Sequence, residues 1–452
     1  MAIWGDESME GLVEADLHER LLPAVATVGE KTWSGTREDK DYLEFMKTFN
    51  ALEEGPNTTI QNEIVSENEL VVKYNFEDET ASDSSLNKYD ASIVNGEVVQ
   101  VENNKVLTLK GNTTLETPLQ SLTYPYTATF DVKVDELGKT INLFAGYDGE
   151  LKIKEDGTLS IRRSFYEQDF DFKVKEEEWN EITLVGTFQA LALYVNGEFV
   201  QQLHSYRDHS NNIISGQELH ATFVLPLEKI GENLKGQMDN IEVYNTAMPE
   251  EWIAGDKNAK LNLACGADAY SSSNSLLYTK EWRAVDGDSR NGDSKWISQN
   301  SDNQWLLIDL KEVKQISEVK LLFAEAATEY KILTSIDGVN FEEVSHITSN
   351  TKTEVVSEFD LKNIRYIKFQ GVKRGGNNGY SILELQAFGE NVQEEKSADF
   401  NNDGVIDLKD LAIASRYYGQ NNKEYDLDGD GKVGIYELQK ISDIILSDNR
   451  RI

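Results

Sequence analysis

The strongest constraint on the fold is a two-residue rhythm. From residue 70 to 250, and again from 261 to 388, apolar side chains recur at every second position in short runs broken by turn residues. In TATFDVKV, Ala128, Phe130, Val132 and Val134 share one face while Thr129, Asp131 and Lys133 take the other, the pattern of a half-buried strand. Asn196-Gly197 and Asp337-Gly338 interrupt such runs, and the ease with which Gly and Asn take positive φ marks both pairs as tight hairpins. The expectation is two antiparallel β-sandwiches in a mainly β, multidomain chain.

A length of 452 residues leaves room for about three or four domains of roughly 100–200 residues. Polar stretches at 52–69, 251–260 and 389–398 divide the chain. Residues 1–50 read as a strand followed by a helix, because Leu17, Leu21, Leu22, Val25 and Val28 recur at helical steps. No run of about 18 apolar residues is present to span a membrane. The first residues lack the basic and apolar regions of a secretion signal, which is expected upstream. The net charge of −36 comes from acids along the whole chain; it opposes binding to nucleic acid or anionic membrane and supplies carboxylates for hard cations. Cys265 is the single cysteine, which excludes an internal disulfide and suits a small buried residue better than a reactive thiol.

After 398 the pattern turns helical around two acidic loops, DFNNDGVIDLKD at 399–410 and DLDGDGKVGIYE at 426–437, which repeat 27 residues apart. Calcium takes six to eight oxygens, and a twelve-residue loop supplies them from positions 1, 3, 5, 7, 9 and 12. The first loop offers Asp399, Asn401, Asp403, the Val405 carbonyl, a water on Asp407, and Asp410. The second offers Asp426, Asp428, Asp430, the Lys432 carbonyl and Glu437, with Gly434 leaving position 9 to water. The alternative is a pair of acidic turns, which the register of the repeat disfavours. The unit at 397–448 resembles a dockerin, the calcium-dependent module that attaches enzymes to cohesin-bearing scaffolds. The resemblance implies a cohesin domain of a scaffold or partner enzyme as partner, contacted through Leu408, Lys409, Ile435 and Tyr436. Many dockerins carry small hydroxyl residues in those places, so a less common cohesin type is implied.

The runs NLACGADAYSSS, AVDGDSRNGDSKW, EYKILTSIDGVNFEEV, RYIKFQGV and GYSILELQAFG resemble, in order, a discoidin-like (F5/8 type C, family 32 carbohydrate-binding) module over 258–390. The family implies a structural calcium near Asp286 and Asp288, helped by Ser294 and Glu384; a solvated acidic loop would read the same way. It also implies sugar binding by loops at one end, with AEAATE at 324–329 and KRGGNNGY at 373–380 as candidates. Within the second, Arg374, Asn377 and Asn378 are either sugar contacts or a polar turn.

VVKYNFED, YPYTATFDVKV, WNEITLVGTFQALALYVNGEFV and LKGQMDNIEVYNTAMPEEWI resemble a laminin G-like, concanavalin A-like jelly roll over 70–250. Related folds imply calcium at Glu77 and Asp239. Glucanases of this fold set two carboxylates on one strand, since retaining hydrolysis needs them about 5–5.5 Å apart. No E-x-D-x-x-E strand is present, so a spacer or glycan-binding role is expected and no catalytic residue is assigned.

MAIWGDES and the later LHERLLPAVATVGEKTWSG resemble the last strand and helix of the TIM barrel in family 20 glycosidases, the β-N-acetylhexosaminidases and lacto-N-biosidases. The resemblance implies that Trp4 walls a sugar pocket and Asp6 bonds the outer hydroxyls. Asp6-Glu7 imitates that family's catalytic pair, but the pair follows a mid-barrel strand and the linker comes too soon after residue 7. The catalytic pair is therefore expected upstream, and the strand-helix remnant is expected not to pack stably or to catalyse alone. Together these readings imply an extracellular or cell-surface accessory region of a glycosidase, bound to calcium, a cohesin and glycans ending in galactose or N-acetylhexosamine. The alternative is a non-catalytic, adhesin-like binder.

Overall fold

The computed structural model describes residues 64–101, 104–147, 149–163, 166–187, 190–204, 223–276, 279–391 and parts of 398–448, with a few helical positions between 25 and 33. Trp4 and Asp6 lie outside the described residues, as do Asp399, Asn401, Asp403, Val405, Asp426, Asp428, Asp430 and the side chain of Tyr436. In the N-terminal stretch, Val25, Val28 and Trp33 are exposed. Two compact units appear, Met1–Glu390 and Asn391–Ile452. No helix among the described residues is long and apolar enough to cross a membrane.

The first sandwich is built as its alternation requires. The strand Tyr126–Val134 buries every second side chain, and Phe130 stacks edge-on against Phe144 of the opposite sheet at 5.0 Å. One sheet runs in the order Glu198–His204, Ala190–Val195, Trp179–Gly186, Tyr126–Val134, Lys235–Tyr244, Asn104–Lys110 and Glu97–Val101, with Leu70–Tyr74 also paired to Lys235–Tyr244. The facing sheet runs from Tyr166–Lys173 through Ile141–Ala145 to Ser92–Val94. Between them lies one continuous apolar core, where each fully buried aliphatic or aromatic side chain contributes about 1.5–3 kcal/mol. Asn196 and Gly197 turn the hairpin at φ of 53° and 78°, as the Asn-Gly pair requires.

The 251–260 stretch, expected as a linker, is packed instead. The short helix Glu250–Ile253 buries Trp252 and Ile253, and Trp252 meets Tyr244 edge-on at 5.2 Å. With Val185, Ala192, Tyr194 and Met248 they form a second apolar cluster on the sheet's outer face. Its charged residues conceal this apolar anchor from a composition-based reading.

The second sandwich differs from two separate sheets. Its strands pair in one order, Trp296–Ile297, Ser381–Asn391, Trp305–Glu325, Glu354–Lys373, Glu329–Ser335 and Glu342–Ile347, with Asp268–Ser271 added on Trp305–Glu325. Trp305–Glu325 and Glu354–Lys373 are long enough to serve both layers, and register shifts between Asp309 and Lys314 and between Ile316 and Glu318 bend them, as bulges do. Arg365 grips Asp309 at the first shift through two bonds of 2.8 and 3.0 Å. Trp296, Phe323, Tyr330, Phe369 and Tyr380 form the aromatic centre of its core.

In the C-terminal unit, helices Leu408–Tyr417 and Ile435–Asp448 begin inside the acidic loops, so that positions 10 to 12 of each loop already belong to the helix. Phe400, Ala414, Val433 and Ile441 form a small core, with Tyr425 stacked on both Phe400 and Tyr417 at 4.9 Å.

Candidate functional site

One end of the second sandwich carries the loop 373–380. Arg374 closes it: its Nε and its main-chain N–H both donate to Asp302 Oδ1 at 3.1 Å, and Nη1 donates to the carbonyls of Asn377 and Asn378 at 3.0 and 3.1 Å. Gly375 lies so close to the Ala326 carbonyl, and Gly379 to that of Ser298, that a Cβ at either would overlap backbone. These contacts join 373–380 to 324–329, so the two candidate loops form one surface. Asn378 Nδ2 reaches Glu325 Oε2 at 3.2 Å. Asn377 and Asn378 are exposed, whereas Tyr380 is buried against Phe369 at 5.4 Å and offers no stacking face. Arg374 thus holds the loop's shape, and the asparagine amides with Glu325 are the groups presented to solvent.

The acidic loop of the same domain brings its candidate residues together. Asp286, Asp288, Ser294 and Glu384 are all buried. Ser294 Oγ donates to Asp286 Oδ2, and the N–H groups of Asp288 and Gly287 donate to Asp286 Oδ1 and Glu384 Oε1 at 2.9 and 3.2 Å. Glu384 Oε2 is buried with no partner among the described residues. Burial, then repulsion from Asp288, pushes the Asp286 carboxyl up to about 7; burial and Asp286 raise Glu384 well above its ordinary range. A hard cation would relieve both, so the donor set fits one. Among the described residues no three acidic, histidine or cysteine side chains form a ready cage, so main-chain carbonyls would complete the coordination.

This loop also meets the first sandwich. Gln202 Nε2 donates to Asp288 Oδ1. Arg290 pairs with Glu250 and lies over the Phe199 ring at 3.9 Å. Gly287, at φ 78°, is packed against Thr187 and Cys265. Burial pushes the Cys265 thiol up, the opposite of activation. None of these cross-domain partners carries a sequence signal, because they lie 40–100 residues apart in the chain.

In the first sandwich, Asp239 Oδ2 accepts from Asn104 at 2.6 Å and Glu77 bears on Asp239 electrostatically. The Glu77 carbonyl, however, accepts from Lys105 Nζ at 2.8 Å, so an ammonium already serves that oxygen.

The repeat in the C-terminal unit is geometric as well as sequential. Asp410 takes N–H bonds from Phe400 and Asp407, both at 2.8 Å. Glu437 takes them from Leu427 at 3.0 Å and Gly434 at 2.5 Å. Both carboxylates are fully buried and hold equivalent loop positions. Asp407 caps its helix by accepting from Lys409 N at 2.7 Å. Leu408 and Ile435, also equivalent, are about two-thirds exposed at 69% and 67%, and Lys409 is exposed beside them. Lys432 is exposed next to buried Val433.

Residues 268–385 match the F5/8 type C domain family, and residues 109–254 match the concanavalin A-like lectin/glucanases superfamily. The chain therefore carries a discoidin-like domain and a laminin G-like lectin-fold domain. A polysaccharide lyase 8 family protein, HylA, of Enterococcus faecalis (strain ATCC 700802 / V583) is 32% identical over 94 residues. That match covers 20% of this chain and 7% of the relative's length. Among solved structures, chitosan-binding module 1 of a Paenibacillus sp. IK-5 chitosanase/glucanase is 28% identical, covering 29% of this chain and all of that one, with a TM-score of 0.28. A Streptococcus pneumoniae fucose binding module is 24% identical, covering 29% of this chain and 98% of that one, with a TM-score of 0.27.

Proposed function

We propose that this chain is the glycan-binding accessory region of an extracellular glycan-active enzyme, joined to a cohesin-bearing partner through its C-terminal unit. The observation that carries the reading is the loop end of the discoidin-like domain. A surface pinned by Arg374, Gly375 and Gly379 presents Asn377, Asn378 and Glu325 without a rearrangement to order them, and preordering lowers the entropic cost of binding a polar ligand. Sugar hydroxyls match amide and carboxylate groups, and the candidate ligands are glycans ending in galactose or N-acetylhexosamine. Calcium is the proposed ion for the Asp286 loop and for both C-terminal loops, where Asp410 and Glu437 would supply the twelfth-position carboxylates. Leu408 and Ile435, flanked by Lys409 and Tyr436, would form the apolar centre of the cohesin contact, as buried hot spots require.

The catalytic domain of the whole protein is proposed as a family 20 glycosidase on the resemblance of MAIWGDES, with Trp4 and Asp6 in its sugar pocket. A second reading, favoured by the 94-residue match to a polysaccharide lyase 8 family protein, places these modules behind a lyase. A glycan array probed with the chain, with and without calcium, tests the binding claim. Binding to terminal galactose or N-acetylhexosamine structures is expected, and a blank array with folded protein would contradict it.

A further inference from the structure

Away from the Trp252 cluster, the outer face of the laminin G-like sheet carries a hollow. Its floor is a row of acids set by strand register: Glu181 stands opposite Asp131, and Asp131 opposite Asp239. They occupy three neighbouring strands on one outer face, an arrangement in which like charges directly opposite are destabilising. The hollow, of about 250 Å³, is lined by these three with Trp179, Asn104 and Asn196. That is slightly below the roughly 300–1,000 Å³ of drug-sized sites and suits a single ring.

Two other acids on this face are paired, Glu242 with Lys73 at 2.6 Å and Glu97 with Lys110 at 2.5 Å. Asp131, Glu181 and Asp239 have no lysine or arginine within ion-pair distance among the described residues, the Lys257 ammonium acting on Glu181 only from farther off. Asp131 keeps one oxygen after accepting from Asn240 Nδ2 at 2.8 Å. Asp239 is 2% exposed, and its Oδ1 is buried without a partner in the wall of the hollow. Trp179 stands at the rim, 41% exposed, and supplies an apolar surface of the kind on which a sugar face stacks.

Adjacent strands lie about 4.8 Å apart, so the row spans roughly 10 Å. A bare ion with oxygens at about 2.3–2.6 Å is small for that span, and no ready cage of three such side chains exists among the described residues. A ring that carries one ammonium and several hydroxyls matches the row's length, charge and aromatic rim together. We propose that this hollow binds an amino sugar with a free, protonated amine, its ammonium set among Asp131, Glu181 and Asp239 and its ring against Trp179.

The test is calorimetric titration of the full chain with three probes: the fully deacetylated glucosamine trimer, its fully N-acetylated counterpart, and spermidine. The deacetylated trimer is expected to show a binding event that is at least tenfold weaker or missing with the other two. Glu181→Gln, at an exposed position that leaves the core intact, should weaken that event at least fivefold, and Trp179→Ala should do the same. The double substitution Glu358→Gln/Asp360→Asn, which removes exposed acids from the other domain, should leave it unchanged. Equal loss in that control, equal binding of spermidine, displacement by calcium alone, or no effect of Glu181→Gln would each overturn the proposal.

Discussion

In the C-terminal unit Asp410 and Glu437 are fully buried and each takes two main-chain N–H bonds. In the discoidin-like domain Asp286 and Glu384 are buried and act on each other, both held well up by desolvation, and Glu384 Oε2 has no partner among the described residues. The first arrangement uses a carboxylate to staple a loop, because charge-assisted bonds to N–H are worth about 1.5–3 kcal/mol each. The second leaves negative charge uncompensated, and only a proton or a cation can settle it. Burial of an acid therefore says little by itself. Asp410 and Glu437 have both a fold role and neighbouring donors without a cation, whereas Glu384, with one N–H donor and two carboxylates acting on it, has an oxygen left over for a ligand.

The largest effect that would sharpen this contrast is expected from Glu437→Ala. It removes two such bonds from a unit with a small core, a loss of about 3 kcal/mol or more, so hydrogen exchange should lose its protection across both helices, 408–417 and 435–448. Unchanged protection would erase the distinction. Next comes Glu384→Gln, which deletes one of three mutually repelling carboxylates, Asp286, Asp288 and Glu384, while keeping the shape. In chelator it should stabilise the discoidin-like domain by about 1–2 kcal/mol, and it should abolish any stabilisation by calcium. Destabilisation in chelator would mean that Glu384 is a staple after all.

The pH response follows the same logic. A carboxyl raised to about 7 in the folded state holds its proton more tightly folded than unfolded. Its stabilising contribution is complete below the ordinary carboxylate range and is lost as pH rises through about 7. The melting temperature of the discoidin-like domain in chelator should therefore fall between pH 6 and pH 8, and a rise would contradict the assignment. The smallest effect is expected from Gln202→Ala, which takes one donor from Asp288 and should cost about 1 kcal/mol. It should also loosen the contact between the two sandwiches, measured as faster exchange at Thr187 and Gly287.

Much of this was legible in the chain. The alternation around Phe130 gave its strand and its buried face, Asn196-Gly197 gave a hairpin, and the 27-residue repeat gave equivalent roles to Asp410 and Glu437. Each depends on local periodicity or spacing. The bends in Trp305–Glu325 were not legible, since a bulge is one extra residue in an otherwise alternating run. Nor was the Glu181, Asp131, Asp239 row, whose members are brought opposite one another only by the pairing of strands that lie 50 and 108 residues apart. Arg374 reads in the sequence as either a sugar contact or part of a polar turn, and its hydrogen bonds turn inward to Asp302 and two carbonyls. The Asp286 loop enters through the discoidin-like resemblance, while its partner Gln202 belongs to another domain and carries no signal of its own.

The central claim is that the loop end of the discoidin-like domain binds glycan through a surface ordered in advance. Its most direct measurement is calorimetric titration of the strongest array glycan into the wild-type chain and into Asn377→Ala/Asn378→Ala, with calcium present. The account predicts at least a tenfold loss of affinity with an unchanged melting temperature. Equal affinity in the two proteins would contradict it and move the glycan site elsewhere on the chain.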